Sequence, residues 1–102
     1  MPREGTVWFV YVIQSEADDS LYTGISIDPV KRLQRHNSGK RGAKRTRGRG
    51  PWRLLGVKRC TNGTRARELE YQLKHTTRAL KLTWCQVNSY ESLRWYKPEV
   101  DR

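Results

Sequence analysis

Val7-Trp8-Phe9-Val10-Tyr11-Val12-Ile13 is a run of seven apolar or aromatic residues, four of them β-branched. Bounded by polar residues, it reads as a strand buried on both faces and so interior to its sheet. Asp18-Asp19-Ser20 supplies a turn, and Leu21-Tyr22-Thr23-Gly24-Ile25 returns as a second strand of an antiparallel hairpin. A turn centred on residues 16 to 17 sets Tyr11 and Tyr22 opposite or nearly opposite one another, on one face of the sheet.

Downstream of the hairpin, Asp28-Pro29 is a helix start, since Asp caps the first free amides and Pro fits the first turn. That helix is expected to run to about Asn37, with Gly39 suited to its end. Counting about 100° per residue places Val30, Leu33 and Asn37 on one side, and Arg32 with His36 on the opposite side, away from the packing face. Residues 38 to 50 hold four glycines and six cations and read as a loop. A third strand is expected from Trp52 to about Cys60, with a turn at Asn62-Gly63. A second helix follows from near Thr64 to about His75, and a further one spans 77 to 85. Ser89 to Trp95 reads as a short helix, and the tail from Lys97 as loose.

A chain of 102 residues fits one compact domain. The core is expected over about 7–85, with no repeats and no internal boundary. Lys and Arg number 21 against 10 Asp and Glu, a formal net charge of +11. The surplus is local: between Asp28 and Glu68 there is no acidic residue, yet that stretch carries 14 of the 21 cations. A solvated face usually mixes signs, whereas forty residues of one sign repel each other unless a polyanion neutralises them. Arg35, Lys40, Arg41, Lys44, Arg45, Arg47 and Arg49 are therefore candidate phosphate contacts, and nucleic acid is the expected partner. No amphipathic helix suits a lipid surface, and no run of 18 apolar residues or secretory segment is present. Cys60 and Cys85 are too far apart, and too lacking in companion ligands, for a zinc site. They read as buried thiols in a reducing, cytoplasmic compartment.

Glu70 is the residue whose helical phase asks for an explanation. Ala66, Leu69 and Leu73 mark the apolar stripe of the second helix, and Glu70 falls within about 40° of Ala66, whereas Glu68 points outward. A carboxylate facing a sheet is costly unless it meets a cation or a metal. A salt bridge, a place at the stripe's edge and a functional role all satisfy that demand.

These residues also carry a resemblance. Val10-Tyr11-Val12, then nine residues, then Tyr22-Thr23-Gly24 resembles the paired motifs of the GIY-YIG endonuclease superfamily. Asp28 to Asn37 is similar to the helix bearing that family's Arg. Gly48-Arg49-Gly50-Pro51-Trp52 resembles the approach to its third strand, and Ala66-Arg67-Glu68-Leu69-Glu70-Tyr71 the helix with its metal-binding Glu. The likeness covers roughly residues 7 to 80. It is nearest to the small stand-alone bacterial members and to the nuclease domain of the eukaryotic branched-DNA resolvase subunit. Val10 and Val12 stand where the first motif has Gly and Ile, and Thr23 where the second has Ile. Asn88 lies further along than the Asn some members use.

The resemblance implies an α/β fold, a single small domain with a three-stranded antiparallel sheet flanked by three or more helices. It implies hydrolysis of phosphodiester bonds in DNA, at structured or branched sites. Tyr11 and Tyr22 would belong to the active site, one of them helping to activate the attacking water. Arg32 would hold the scissile phosphate, His36 would assist Tyr or phosphate, and Glu70 would hold one Mg²⁺ or Mn²⁺ ion. A Tyr of pKa near 10 makes a poor base until a neighbouring cation lowers it. Singly, each residue has an ordinary reading as core Tyr, cross-strand partner or surface side chain; their joint spacing sets the functional one above it. Two rivals stand beside this reading: a catalytically silent nucleic-acid-binding module, and a basic RNA- or ribosome-associated protein.

Overall fold

The computed structural model describes residues 6–38, 46 and 48–90. Its frame is a three-stranded antiparallel sheet of order β2-β1-β3, built from β1 (Trp8–Ser15), β2 (Leu21–Ser26) and β3 (Trp52–Cys60). The apolar run is the central strand, and helices cover both of its faces, which is why it shows no polar alternation. On one face Val10 and Val12 pack with Cys60, Ala66, Leu73 and Cys85. Ala66 and Leu73 come from α2 (Gly63–Lys74), Cys85 from α3 (Arg78–Val87). On the other face Phe9, Tyr11 and Ile13 pack with Trp52 and Val57, and Leu33 of α1 (Pro29–Ser38) lies against them.

The hairpin register differs from expectation by two residues. Tyr11 pairs with Gly24, and Ile13 pairs with Tyr22. The turn is tied by Ser15, whose hydroxyl accepts from the Ala17 and Asp18 amides at 3.0 and 3.2 Å. Asp19 takes a positive φ of 63° there. Its centre therefore lies one residue later than 16 to 17. Because side chains alternate with period two, Tyr11 and Tyr22 still share a face, as diagonal neighbours.

Helix starts follow their caps. Asp28 Oδ1 accepts from the Lys31 amide at 3.1 Å. Asn62, expected in a turn, instead caps α2, its Oδ1 accepting from the Arg65 amide at 2.9 Å. Thr77 caps α3 in the same way. Gly56 lets α3 lie close on β3: a Cβ there would stand 3.0 Å from Cys85 Cα. Ser89 is not helical. It forms an isolated antiparallel bridge with Gly56, and the Val57 amide donates to the Asn88 carbonyl at 2.9 Å. Residues 91–95 and the tail from Lys97 lie outside the described residues. Cys60 and Cys85 are free and buried, and burial raises the Cys85 thiol to about 11. Among the described residues no helix is long and apolar enough to cross a membrane.

Candidate active site

Tyr11 occupies the centre of the α1 face and is 1% exposed. Its hydroxyl lies over the facing strand, where a Cβ on Gly24 would come within 2.5 Å of Oη. The glycine of the second motif is thus the floor on which the Tyr11 ring rests. The hydroxyl meets His36 Nε2 at 3.0 Å, and the charge of Arg32 acts on the same group. His36 Nδ1 in turn meets Thr46 Oγ1 at 2.8 Å. The Tyr22 ring stands edge-on to the His36 ring, with centroids 5.2 Å apart. Tyr11, Tyr22, Arg32 and His36 are therefore brought together around one imidazole.

This placement corrects the reading of α1. His36 is 2% exposed and faces the sheet, not the far side of the helix. The buried residues of α1 are Pro29 and His36, seven apart, with Leu33 between them. At about 100° per residue His36 lies only about 60° from Leu33, well inside an ordinary packing face. Arg32 is half-buried at the border of that face.

Burial sets the protonation states. It holds the Tyr11 phenol well above its ordinary range, Tyr22 adds to the rise, and Arg32 offsets only part of it. The expectation that a neighbouring cation would leave a lowered tyrosine pKa therefore fails for Tyr11, because desolvation outweighs the charge. Burial, then the charge of Arg32, brings His36 down to about 4, so the imidazole is neutral at pH 7.

Glu70 comes to the same place from α2. Its side chain is 22% exposed, at the edge of the apolar stripe rather than under it, and its carboxylate pairs with Lys74 at 3.2 Å. Its charge is felt by Tyr11, and Lys74 Nζ stands 5.9 Å from the centre of the Tyr22 ring. Glu68 points outward and pairs with Arg65. Lys74 was missed in the sequence, although the Glu70–Lys74 spacing of four is a readable helical pair. Thr46 was missed too. A threonine among cations carries no local signal, because its partners are brought by the fold: Asn37 clamps both backbone groups of Trp52, at 2.6 and 2.9 Å, and Trp52 Nε1 donates to the Thr46 carbonyl at 3.0 Å.

Of the candidate phosphate contacts, Arg35 is exposed and lines a cleft of about 560 Å³ with Ser26, Ile27, Asp28, Lys31 and Arg32. Arg49, read as having no acidic neighbour, does have one. Asp18 of the hairpin turn lies 4.0 Å away, both side chains being about half exposed. The turn and the start of β3 are neighbours: the Ser15 hydroxyl donates to the Arg49 carbonyl at 2.6 Å. Lys40, Arg41, Lys44, Arg45 and Arg47 lie outside the described residues.

Among the described residues no group of three His, Cys, Asp or Glu side chains could enclose a metal ion. One half-buried carboxylate beside the tyrosines does fit a hydrated Mg²⁺ or Mn²⁺. Such an ion keeps several waters and takes its other oxygens from a phosphate. Glu70 is the residue that would hold it, in exchange for Lys74.

The sheet thus brings paired tyrosines, an arginine and a carboxylate together beside its central strand. The chain belongs to the GIY-YIG family: the GIY-YIG catalytic domain matches residues 7–83. Among its relatives, UPF0213 protein OB0043 of Oceanobacillus iheyensis is 42% identical over 83 residues, covering 81% of this chain and 94% of that one. A UPF0213 protein of Aeromonas hydrophila is 43% identical over 74 residues, 72% of this chain, and the match spans 53% of the relative's length. The solution structure of UPF0213 protein BH0048 from Bacillus halodurans is similar at a TM-score of 0.53 and 36% identity, covering 84% of this chain and 89% of that one.

Proposed function

We propose that this chain is a metal-dependent endonuclease that hydrolyses phosphodiester bonds in DNA, at structured or branched sites. The observation that carries the reading is the Tyr11 hydroxyl, bonded to a neutral imidazole, with the charges of Arg32 and Glu70 both close enough to act on it. Arg32 grips the nonbridging oxygens of the scissile phosphate, its planar fork suiting two hydrogen bonds where a lysine offers a point charge. Water attacks phosphorus, its proton passes to Tyr11 Oη, and the phenolic proton passes to His36 Nε2. A resting phenolate is not needed, which suits a tyrosine whose burial opposes ionisation. Phosphate on Arg32 also cancels the charge that helps to depress His36, so the imidazole becomes a better acceptor when substrate is bound. The bond from phosphorus to the 3′ oxygen breaks, and that oxygen takes its proton from solvent. Glu70 would hold a divalent ion, which would supply charge neutralisation as negative charge develops in the reaction. Lys74, once released from Glu70, and the cleft cations Lys31 and Arg35 would meet flanking phosphates.

The Glu70–Lys74 pair also suits a silent module that grips nucleic acid without cutting it, so cleavage has to be measured. Labelled linear, nicked, flapped and branched DNA are incubated with the protein in Mg²⁺ or Mn²⁺, beside matched RNA. Metal-dependent products from a branched or flapped DNA support the proposal. Tight binding with every substrate intact leaves the silent module, and preference for RNA leaves the RNA-associated reading.

A further inference from the structure

We infer that Thr46 is a positioning residue: its hydroxyl holds the His36 proton on Nδ1, so that Nε2 faces Tyr11 as a bare acceptor. The inference rests on the nuclease reading for its consequence, but its first step concerns the resting protein alone.

The hydrogen-bond chain from Tyr11 through His36 to Thr46 has two possible directions. In one, Thr46 donates to Nδ1 and His36 donates from Nε2 to the phenol oxygen. In the other, Tyr11 donates to Nε2 and His36 donates from Nδ1 to Thr46. The guanidinium decides between them. Arginine has only donors, and the positive charge of Arg32 acts on the Tyr11 hydroxyl. A cation beside a phenol favours the oxygen lone pairs and turns the O–H away from itself, which directs that O–H to His36 Nε2, 3.0 Å away. The ring is neutral, with one proton for two nitrogens, so a lone pair at Nε2 requires the proton at Nδ1. Nδ1 lies 2.8 Å from Thr46 Oγ1, and Thr46 is 1% exposed, so no water competes as acceptor. The Trp52 indole holds the Thr46 backbone in place by its bond to the carbonyl. A bare Nε2 is the tautomer that can receive the phenolic proton; the other would present a second donor to Tyr11 and block the transfer.

The test uses the full chain labelled with ¹⁵N at histidine. Without DNA, the wild type is expected to show His36 protonated at Nδ1, with Nε2 lacking a proton. Thr46→Val, nearly isosteric, removes the acceptor and should mix or invert the tautomers. Its single-turnover rate at saturating DNA should fall about tenfold to a hundredfold, the range for losing an orienting partner, with the half-saturating DNA concentration unchanged. Thr46→Ser should restore both. A purely structural role would lower thermal stability in Thr46→Val and leave tautomer and saturated rate alone. That result, or an Nε2 proton in the wild type, overturns the inference. If the wild type cuts no DNA at all, the nuclease reading fails while the tautomer measurement still decides the role of Thr46.

Discussion

A proton added to His36 has no favourable place in the folded chain, because burial and then the Arg32 charge hold its pKa near 4 against an ordinary 6.5. The unfolded chain binds that proton below about 6.5 and the folded chain only below about 4, so unfolding takes up a proton between the two. This contribution to stability is whole above pH 6.5 and is lost as the pH falls towards 4, with a slope of up to about 1.4 kcal/mol per pH unit. Thermal midpoints taken across that window should fall more steeply for the wild type than for His36→Gln. Parallel curves would mean that His36 is not a buried neutral ring. At this scale the sequence was informative about residue types and less so about directions. Tyr11, Tyr22, Arg32 and Glu70 stand out by spacing. His36 was misplaced because a ten-residue helix allows a wide packing face, and only the sheet beneath decides which edge of it is covered. Thr46 was invisible because its partners are Trp52 and His36, each brought to it by tertiary contacts.

The hairpin is the element on which the site is mounted, and Gly24 is its tightest point. A Cβ at Gly24 would lie 2.5 Å from Tyr11 Oη and 2.7 Å from Cζ, so Gly24→Ala must push the phenol away from His36 and Arg32. Overpacking of this kind costs about 1–3 kcal/mol. The saturated cleavage rate should fall at least about a hundredfold, as for loss of a general base. Gly56→Ala is the contrast: its Cβ would meet Cys85 at 3.0 Å, on the far face of the sheet. Denaturant unfolding should show both variants destabilised, with only Gly24→Ala losing rate. An active Gly24→Ala would detach Tyr11 from the chemistry. Strands and helices were legible because their signals are local: an apolar run, then Asp28 as a cap. The hairpin register was not, since it depends on how Ser15 folds the turn. Ser89 was drawn from its expected helix by a backbone pairing with Gly56 that no local pattern announces.

For the molecule as a whole, a net charge of +11 concentrated between Asp28 and Glu68 is the feature that any polyanion meets first. Lys44, Arg45 and Arg47 are proposed to supply affinity and not chemistry; Arg49 is set apart because Asp18 lies beside it. Neutralising the three together should weaken binding and flatten the slope of log K against log salt by up to about three units, at about 0.9 per duplex phosphate contact. The saturated single-turnover rate should survive. An unchanged slope would take these cations off the phosphate backbone, and a collapsed rate in a folded variant would put them inside the catalytic machinery. Charge asymmetry and domain size were readable from composition, and the interior position of the first strand from its unbroken apolarity. The assignment of helices to faces was not, because apolar stripes do not say which side of a sheet they cover. Glu70 is proposed to work through a divalent ion in phosphodiester cleavage. That role is tested most directly by Glu70→Gln, compared with Glu68→Gln, in single-turnover cleavage of saturating branched DNA with Mg²⁺. Glu70→Gln should bind DNA as the wild type does and lose cleavage, while Glu68→Gln keeps both; full cleavage by Glu70→Gln would contradict a metal-holding role for Glu70.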